Sequence, residues 1–336
     1  MVASIEDVAR LAGVSIATVS RALRGLPDVA TATRDRVLAA AGELDYIASP
    51  FAARLASGRA ATVGVVVPFV NRWFFAEVID TVETALRKAG FDLLLYNLGD
   101  EAGRAAFFDV MPMRKRVDAV LVASLVLSDE EFDSLASLGS PVALLGLERP
   151  GFLSVRIDDI RAAYQAVEHL LSIGHRRIGL IGGDTDDPMR FTPPLHRRDG
   201  YRDALRDAGI EADPTAEVLG YFTIEGGSAA MEALLGLADR PTAIFAESDE
   251  MAYGALRTIR RAHLRVPEDV AVIGFDDQSN AELMDLSTVR QPVAEQATDI
   301  TARLLAAIDG DVERTNVVLP TELVVRGTTR TECSVY

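Results

Sequence analysis

The chain has 336 residues, 49% of them hydrophobic and 25% charged, with a formal net charge of −16 and one cysteine, Cys333. That length allows roughly two or three domains with filled cores. The longest apolar runs, such as Val63 to Val70, fall far short of the ~20 residues a membrane-spanning helix needs, and a lone cysteine excludes an internal disulfide and a multi-cysteine metal site. Met1 to Asp7 contains no basic region leading into an apolar stretch, so no signal peptide is expected and a reducing cytoplasm fits.

The charge is unevenly placed. Residues 1–60 carry seven arginines against six acids, a net of +1, which leaves the remainder at −17. A near-neutral head on an acidic body suits a chain whose body is to be repelled by the polyanion its head binds.

Residues 1–47 read as short helices without strand alternation. Ser4 followed by Asp7 forms a capping box with a shorter acid, and Ile5, Val8, Ala9 and Ala12 share one face at helical spacing. Gly13-Val14-Ser15 then breaks the helix: Gly13 tolerates left-handed geometry and Ser15 caps a second helix. That helix runs from Ile16 to Leu23, with Val19, Ala22 and Leu23 directed inward. Two short helices across a glycine-containing turn is the helix-turn-helix pattern, whose second helix presents its N-terminal side chains to the DNA major groove. On spacing alone, an arbitrary pair of helices in a small bundle competes with that reading.

The residues decide further. Asp7-Val8-Ala9, Ala12-Gly13-Val14-Ser15, Thr18-Val19-Ser20-Arg21, Val29, Thr33-Arg34 and Val37 together resemble the headpiece of the lactose-repressor/galactose-repressor family of transcriptional regulators. The resemblance implies that Ile16, Ala17 and Arg21 meet base edges, with Ser4, Ser15, Thr18, Ser20 and Thr33 at the DNA backbone. Ile16 and Ala17 can read only by apolar contact, for instance with a thymine methyl, whereas Arg21 can pair with guanine or bind phosphate. Arg24 replaces an asparagine common in relatives and adds a phosphate contact. Ala30 replaces a serine that caps the third helix, a task expected to pass to Thr31.

Ser49-Pro50 signals a helix start, and Phe51 to Ser57 allows about two turns before Gly58. So short a helix is marginal in water. In the family that residues 48–61 resemble, paired hinge helices enter the minor groove and wedge an apolar residue into a base step. Leu55 aligns with that wedge, and a rearranged groove contact is expected of Arg54 because Ala53-Arg54 stands where the family usually has Arg-Ser.

From Thr62 onward, β-branched runs alternate with amphipathic helices. Val63–Val67, Asp92–Tyr96, Ala119–Val122, Val142–Leu145, Arg177–Ile181, Ala243–Ala246 and Val270–Gly274 read as buried strands. Ala76–Ala89, Ala162–Ser172, Gly200–Ala208 and Met251–Ala262 read as helices. This alternation specifies parallel sheets covered by helices, and ~270 residues favour two lobes over one sheet. Val63-Gly64-Val65-Val66-Val67-Pro68, Gly174-His175-Arg176-Arg177-Ile178, Arg197-Arg198-Asp199-Gly200-Tyr201, Ser248-Asp249-Glu250-Met251-Ala252, Gly274-Phe275-Asp276-Asp277 and Thr288-Val289-Arg290-Gln291-Pro292 continue the resemblance. It implies an all-α headpiece joined to an α/β, two-lobed, type I periplasmic-binding-protein-like sensor. The expected layout is a headpiece at 1–47, a hinge at 48–61 and a sensor at 62–336. Within the sensor, one lobe takes about 62–160 and 292–320, the other about 161–291 and 321–330.

In such folds ligand binds at strand C-terminal ends, in the crevice. A sugar needs polar groups for hydroxyls and aromatic faces for ring C–H surfaces. The candidates are Arg197 and Asp276 foremost, then Phe222, Asn71, Phe74, Phe191, Ser248 and Asp249. Phe74 and Asp249 fit a structural role equally well. The loop Asp184–His196, with three prolines and Phe191, is expected to wall the cleft.

An enzyme is disfavoured, since neither a Gly-x-Gly-x-x-Gly nor a Walker motif is present. His169, His175, His196 and His263 lack metal-ligand spacing, and neither metal nor cofactor is expected. A transport binding protein would share the body but lack the head. The expected partners are double-stranded operator DNA, a sugar-like effector and a second copy of the chain. A dimer is favoured over a tetramer because no leucine heptads follow Arg326-Gly327.

Overall fold

The computed structural model describes residues 3–23, 25–46, 59–311 and 315–330. The chain divides into two compact units, one formed by Met1–Ala61 with Lys115–Asp118, the other by the remainder.

In the first unit, α1 (Ile5–Ala12), α2 (Ile16–Leu23) and α3 (Thr31–Glu43) enclose a small core of Val8, Ala9, Ala12, Val19, Ala22, Val29, Val37, Ala40 and Ala41. The capping box is complete: Ser4 Oγ accepts the Asp7 N–H at 3.3 Å, and Asp7 accepts the Ser4 N–H at 3.0 Å. These contacts with Ser4 hold the Asp7 carboxyl below its ordinary pKa. Gly13 takes φ 66° at the end of α1, where a β-carbon would be strained. Ser15 Oγ then accepts the Thr18 N–H at 3.1 Å and opens α2. The expectation for Thr31 fails. Ala30 is the N-cap of α3 and no side chain caps it, because Thr31 already lies inside the helix, past the position from which a hydroxyl can reach back to the free N–H groups.

The second unit holds two six-stranded sheets. The first contains β1 (Thr62–Val67), β2 (Asp92–Asn97), β3 (Ala119–Ala123), β4 (Val142–Leu145), β5 (Leu153–Ile157) and β11 (Asn316–Leu319), in the order β11-β5-β4-β3-β1-β2, all parallel. The second contains β6 (Ile178–Gly182), β7 (Glu217–Leu219), β8 (Ala243–Ala246), β9 (Ala271–Asp276), β10 (Ser287–Arg290) and β12 (Glu322–Val324). Their order is β12-β10-β9-β8-β6-β7, and only β12 runs antiparallel to its neighbour. Residues such as Val63, Leu121, Phe245 and Ile273 are fully buried, so the strands read as continuous apolar runs rather than as alternations.

On the first sheet, α4 (Trp73–Lys88) and α12 (Val293–Ile308) pack with the strands in one core. Arg104 of α5 (Glu101–Val110) pairs with Glu131 of α6 (Asp129–Ala136) at 2.7 Å. On the second sheet, α7 (Asp159–Ser172) and α8 (Pro193–Asp207) share one core, while α9 (Ile224–Leu235) and α10 (Asp249–Arg261) share another. A five-residue helix, α11 (Ser279–Leu283), follows β9. The chain crosses between sheets after β5, after β10 and between β11 and β12. Strand-to-strand crossings of this kind leave two lobes able to shift about a few linking residues.

Candidate ligand cleft and nucleic-acid interface

The cleft forms where the C-terminal ends of both sheets face each other. Its polar centre is Arg197 on α8, which is 4% exposed. Arg197 Nε donates to Asp159 at 2.8 Å, Nη1 donates to the Glu247 carbonyl at 2.5 Å, and the guanidinium lies 3.6 Å over the Phe275 ring. Asp276, at the end of β9, sits 3.8 Å from Arg197 and accepts from the Gln291 amide at 2.6 Å and the Gln278 amide at 3.4 Å. Burial raises the Asp276 carboxyl to about 6 in spite of Arg197 and both amides. Its backbone holds φ 119°, a conformation that costs a non-glycine residue energy and concentrates at functional positions.

The apolar wall is aromatic. Phe191 meets Phe222 edge to face at 5.3 Å and Phe75 at 5.9 Å, and Phe74 meets Phe75 at 5.2 Å. Gly183 admits the Phe222 ring, since a β-carbon there would lie 2.1 Å from it. The loop ahead of α8 crosses to the other lobe: Arg104 donates to the Met189 carbonyl at 2.6 Å, and Val126 N–H donates to Arg190 O at 3.0 Å. The cavity has a volume of about 40 Å³. That is room for a few waters at ~10–15 Å³ each and less than ligand pockets usually offer.

The structure brings Phe74, Phe191, Arg197, Phe222, Ser248 and Asp276 together on this cavity. Asn71 and Asp249 are not on its lining. Asn71 is exposed on the loop after β1, and its neighbour Arg72 turns inward instead. Asp249 is fully buried beneath Gly274, accepting from Thr288 Oγ1 at 2.7 Å and Gln278 N–H at 2.8 Å. Burial, then the neighbouring Asp276, pushes its carboxyl well above the ordinary range. It braces the loop that carries Asp276.

Sequence reasoning missed Arg72, Asp159, Glu250, Gln291 and Gln296, all of which line the cavity. Glu250 follows the N-cap Ser248 by two residues, yet its carboxylate lies near enough to the N–H of Trp73, at the start of α4 in the other lobe, to be stabilised by it. Burial and Asp276 raise it to about 7, against the pull of Arg72 and that N–H. No local sequence signal marks this pair, because only the facing of the lobes creates it.

In the headpiece, Ile16, Ala17 and Arg21 lie exposed on α2 around the buried Val19 and Ala22. Arg21 is 3.7 Å from Asp28. Ser15 and Thr18 share a hydroxyl contact of 2.9 Å at the helix start, while Ser4 and Thr33 are half-buried. Ser20 is half-buried on α2. Arg24, Arg54 and Leu55 lie outside the described residues.

A helix-turn-helix unit and a two-sheet cleft in one chain define a ligand-responsive regulator, and comparison with known proteins gives its family. Residues 4–49 match the model of bacterial regulatory proteins of the lacI family, and residues 167–329 match that of the periplasmic binding protein-like domain. The chain is 36% identical to the HTH-type transcriptional repressor CytR of Escherichia coli K12, covering 98% of this chain and 96% of that one. It is 37% identical to the regulator CelR of Thermobifida fusca, covering 96% and 97%. Among solved structures, a CelR–cellobiose complex aligns over 97% of this chain and 99% of that chain at 35% identity, with TM-score 0.71. A lac repressor dimer bound to operator and the anti-inducer ONPF aligns over 98% and 100% at 26% identity, with TM-score 0.86. The chain belongs to the LacI family of DNA-binding transcriptional regulators, and it is not an enzyme.

Proposed function

We propose that the chain is an operator-binding repressor that works as a homodimer in the cytoplasm, on nucleoid DNA, and is controlled by a sugar held between its lobes. The observation that carries this reading is the cavity, where Arg197, Asp276 and Gln291 sit opposite phenyl rings. Carboxylate, amide and guanidinium groups match the hydroxyls of a sugar, and the rings match its C–H faces. The relatives' partners, cellobiose in one complex and operator DNA in another, agree with it.

On DNA, Ile16, Ala17 and Arg21 read bases, and Ser4, Ser15, Thr18, Ser20, Arg24 and Thr33 hold the backbone. Leu55 and Arg54 act in the minor groove. A single headpiece reads few bases, so two copies on a pseudo-palindromic site supply the selectivity. A sugar panel scored by thermal shift and then by operator release tests the reading. A chain that answers only non-sugar ligands, or that stays monomeric at micromolar concentration on its operator, would contradict it.

A further inference from the structure

The geometry points to an uncharged polyol or glycoside as the effector, with phosphorylated and carboxylated sugars excluded. This rests on the sugar reading of the same cleft and narrows its chemical class.

Charge at the cavity is the first ground. Three carboxylates line it, from Asp159, Glu250 and Asp276, against the guanidiniums of Arg72 and Arg197, and neither lysine nor histidine lines it among the described residues. Both cations already have acidic neighbours. Arg197 serves Asp159, the Glu247 carbonyl and Asp276. Arg72 stacks 4.2 Å over Phe69 and faces two acids, Glu250 and Asp187. With Glu250 raised to about 7, carboxylates and guanidiniums nearly balance, so an entering phosphate meets no net positive charge to offset its loss of solvation.

The helix N-termini are the second ground. Backbone N–H groups at a helix start are the ordinary place for an anion, and five helices begin at this cleft. Glu250 already faces the Trp73 N–H of α4. Asp158 accepts the Arg161 N–H of α7, and Ser248 accepts the Met251 N–H of α10. The first positions of α8 are Pro193 and Pro194, which have no N–H to offer. Before α12 stands Pro292, and its first turn carries Glu295. At each of them a cap, a proline or an acid removes part of the donor set an anion would use.

What the cavity does leave open is neutral. Gln296 is 1% exposed, lines the cavity, and its amide nitrogen has no partner. A hydroxyl satisfies that donor and also donates to the flanking carboxylates, as an anion cannot.

Trp73, the single tryptophan, lies between the cavity-lining Arg72 and Phe74 in sequence, so its fluorescence can follow titration of the full-length protein. Matched probes are glucose with glucose 6-phosphate and glucuronate, ribose with ribose 5-phosphate, and cellobiose with cellobionate. The expected result is binding of a neutral member with at least about tenfold weaker binding of its anionic partners. In Glu250→Gln, the neutral-to-anionic ratio should shrink severalfold while circular dichroism stays that of the parent. An anionic member binding as well as its neutral partner overturns the inference and leaves the sugar reading standing. Failure of every glycoside removes the sugar reading, and the inference with it.

Discussion

The carboxylate of Glu250, at the start of α10, faces the backbone N–H of Trp73, at the start of α4 in the opposite lobe, and is stabilised by it. The N-cap of α4 is Arg72, which makes no side-chain cap, so one lobe supplies what the other's helix lacks.

Burial of Glu250 where the lobes meet, acting against the pull of this N–H, makes closure depend on pH. Burial and the charge of Asp276 raise Glu250 to about 7 when the lobes meet, and parting them returns it toward its ordinary value. A raised acid favours the closed arrangement while protonated, and that contribution is lost as pH rises through about 7. Asp276, raised to about 6, acts in the same direction, while Arg72 opposes the first shift and Arg197 the second. Closure should therefore be more populated at pH 6 than at pH 8. Small-angle scattering and Trp73 fluorescence across that range check it, and Glu250→Gln should flatten the upper part of the transition.

Glu247 offers a stability test away from ligand. It is fully buried at the end of β8, where Oε2 accepts the Gly183 N–H at 2.8 Å and Oε1 has no partner. Burial raises it to about 8, outweighing that hydrogen bond and two arginines. Its stabilising contribution is complete below about 4.5 and is lost as pH rises through about 8. Glu247→Gln should melt a few degrees above the parent at pH 8.5 and lose that advantage at pH 5. Calorimetry showing equal melting at both pH values would count against the assignment.

Arg21 separates specificity from affinity. Arg21→Ala should weaken specific binding by about 1–3 kcal/mol if the side chain pairs with guanine. Asp28, 3.7 Å from Arg21 and exposed like it, competes for the guanidinium, so Asp28→Ala should tighten specific and nonspecific binding alike by a few-fold. Salt-dependent operator titrations distinguish the two, and an unchanged specific-to-nonspecific ratio in Arg21→Ala removes its base-reading role.

Asp276 and Leu55 should part the two halves of the switch. Asp276→Ala is expected to abolish effector binding and leave operator affinity without effector nearly intact. Leu55→Ala should spare effector binding and weaken and straighten the DNA complex, since an apolar wedge kinks DNA by roughly 20–90°. Calorimetry with effector beside DNA-bending assays checks both. Full effector affinity in Asp276→Ala, or parental bending in Leu55→Ala, would refute the role of that residue.

Local signals in the sequence were readable where the chain acts on itself. The Ser4–Asp7 box, Gly13 and Ser15 settle α1 and α2 within a few residues, and the apolar runs locate β1, β3, β4 and β8. Reading failed where the signal was mixed. Leu153 to Ile157 alternates with Ser154 and Arg156, and so hides β5. The prolines that suggested a loop at 193–194 instead start α8, seven residues before the expected Gly200. At the cleft, Arg197 and Asp276 stood out through their motifs, but Arg72, Glu250 and Gln296 acquire meaning only when distant helices face one another.

Phe191 packs against the core of both lobes, beside Phe75 in one and Phe222 in the other. Parting the lobes must withdraw the ring from at least one of them and wet on the order of 100 Å² of apolar surface. Newly wetted apolar area raises heat capacity by about 0.45 cal/mol/K per Å², so the enthalpy of opening changes with temperature. At about 45 cal/mol/K the increment barely moves the balance between open and closed, yet it gives the ring a calorimetric signature: effector binding that closes the lobes takes up this heat capacity with negative sign.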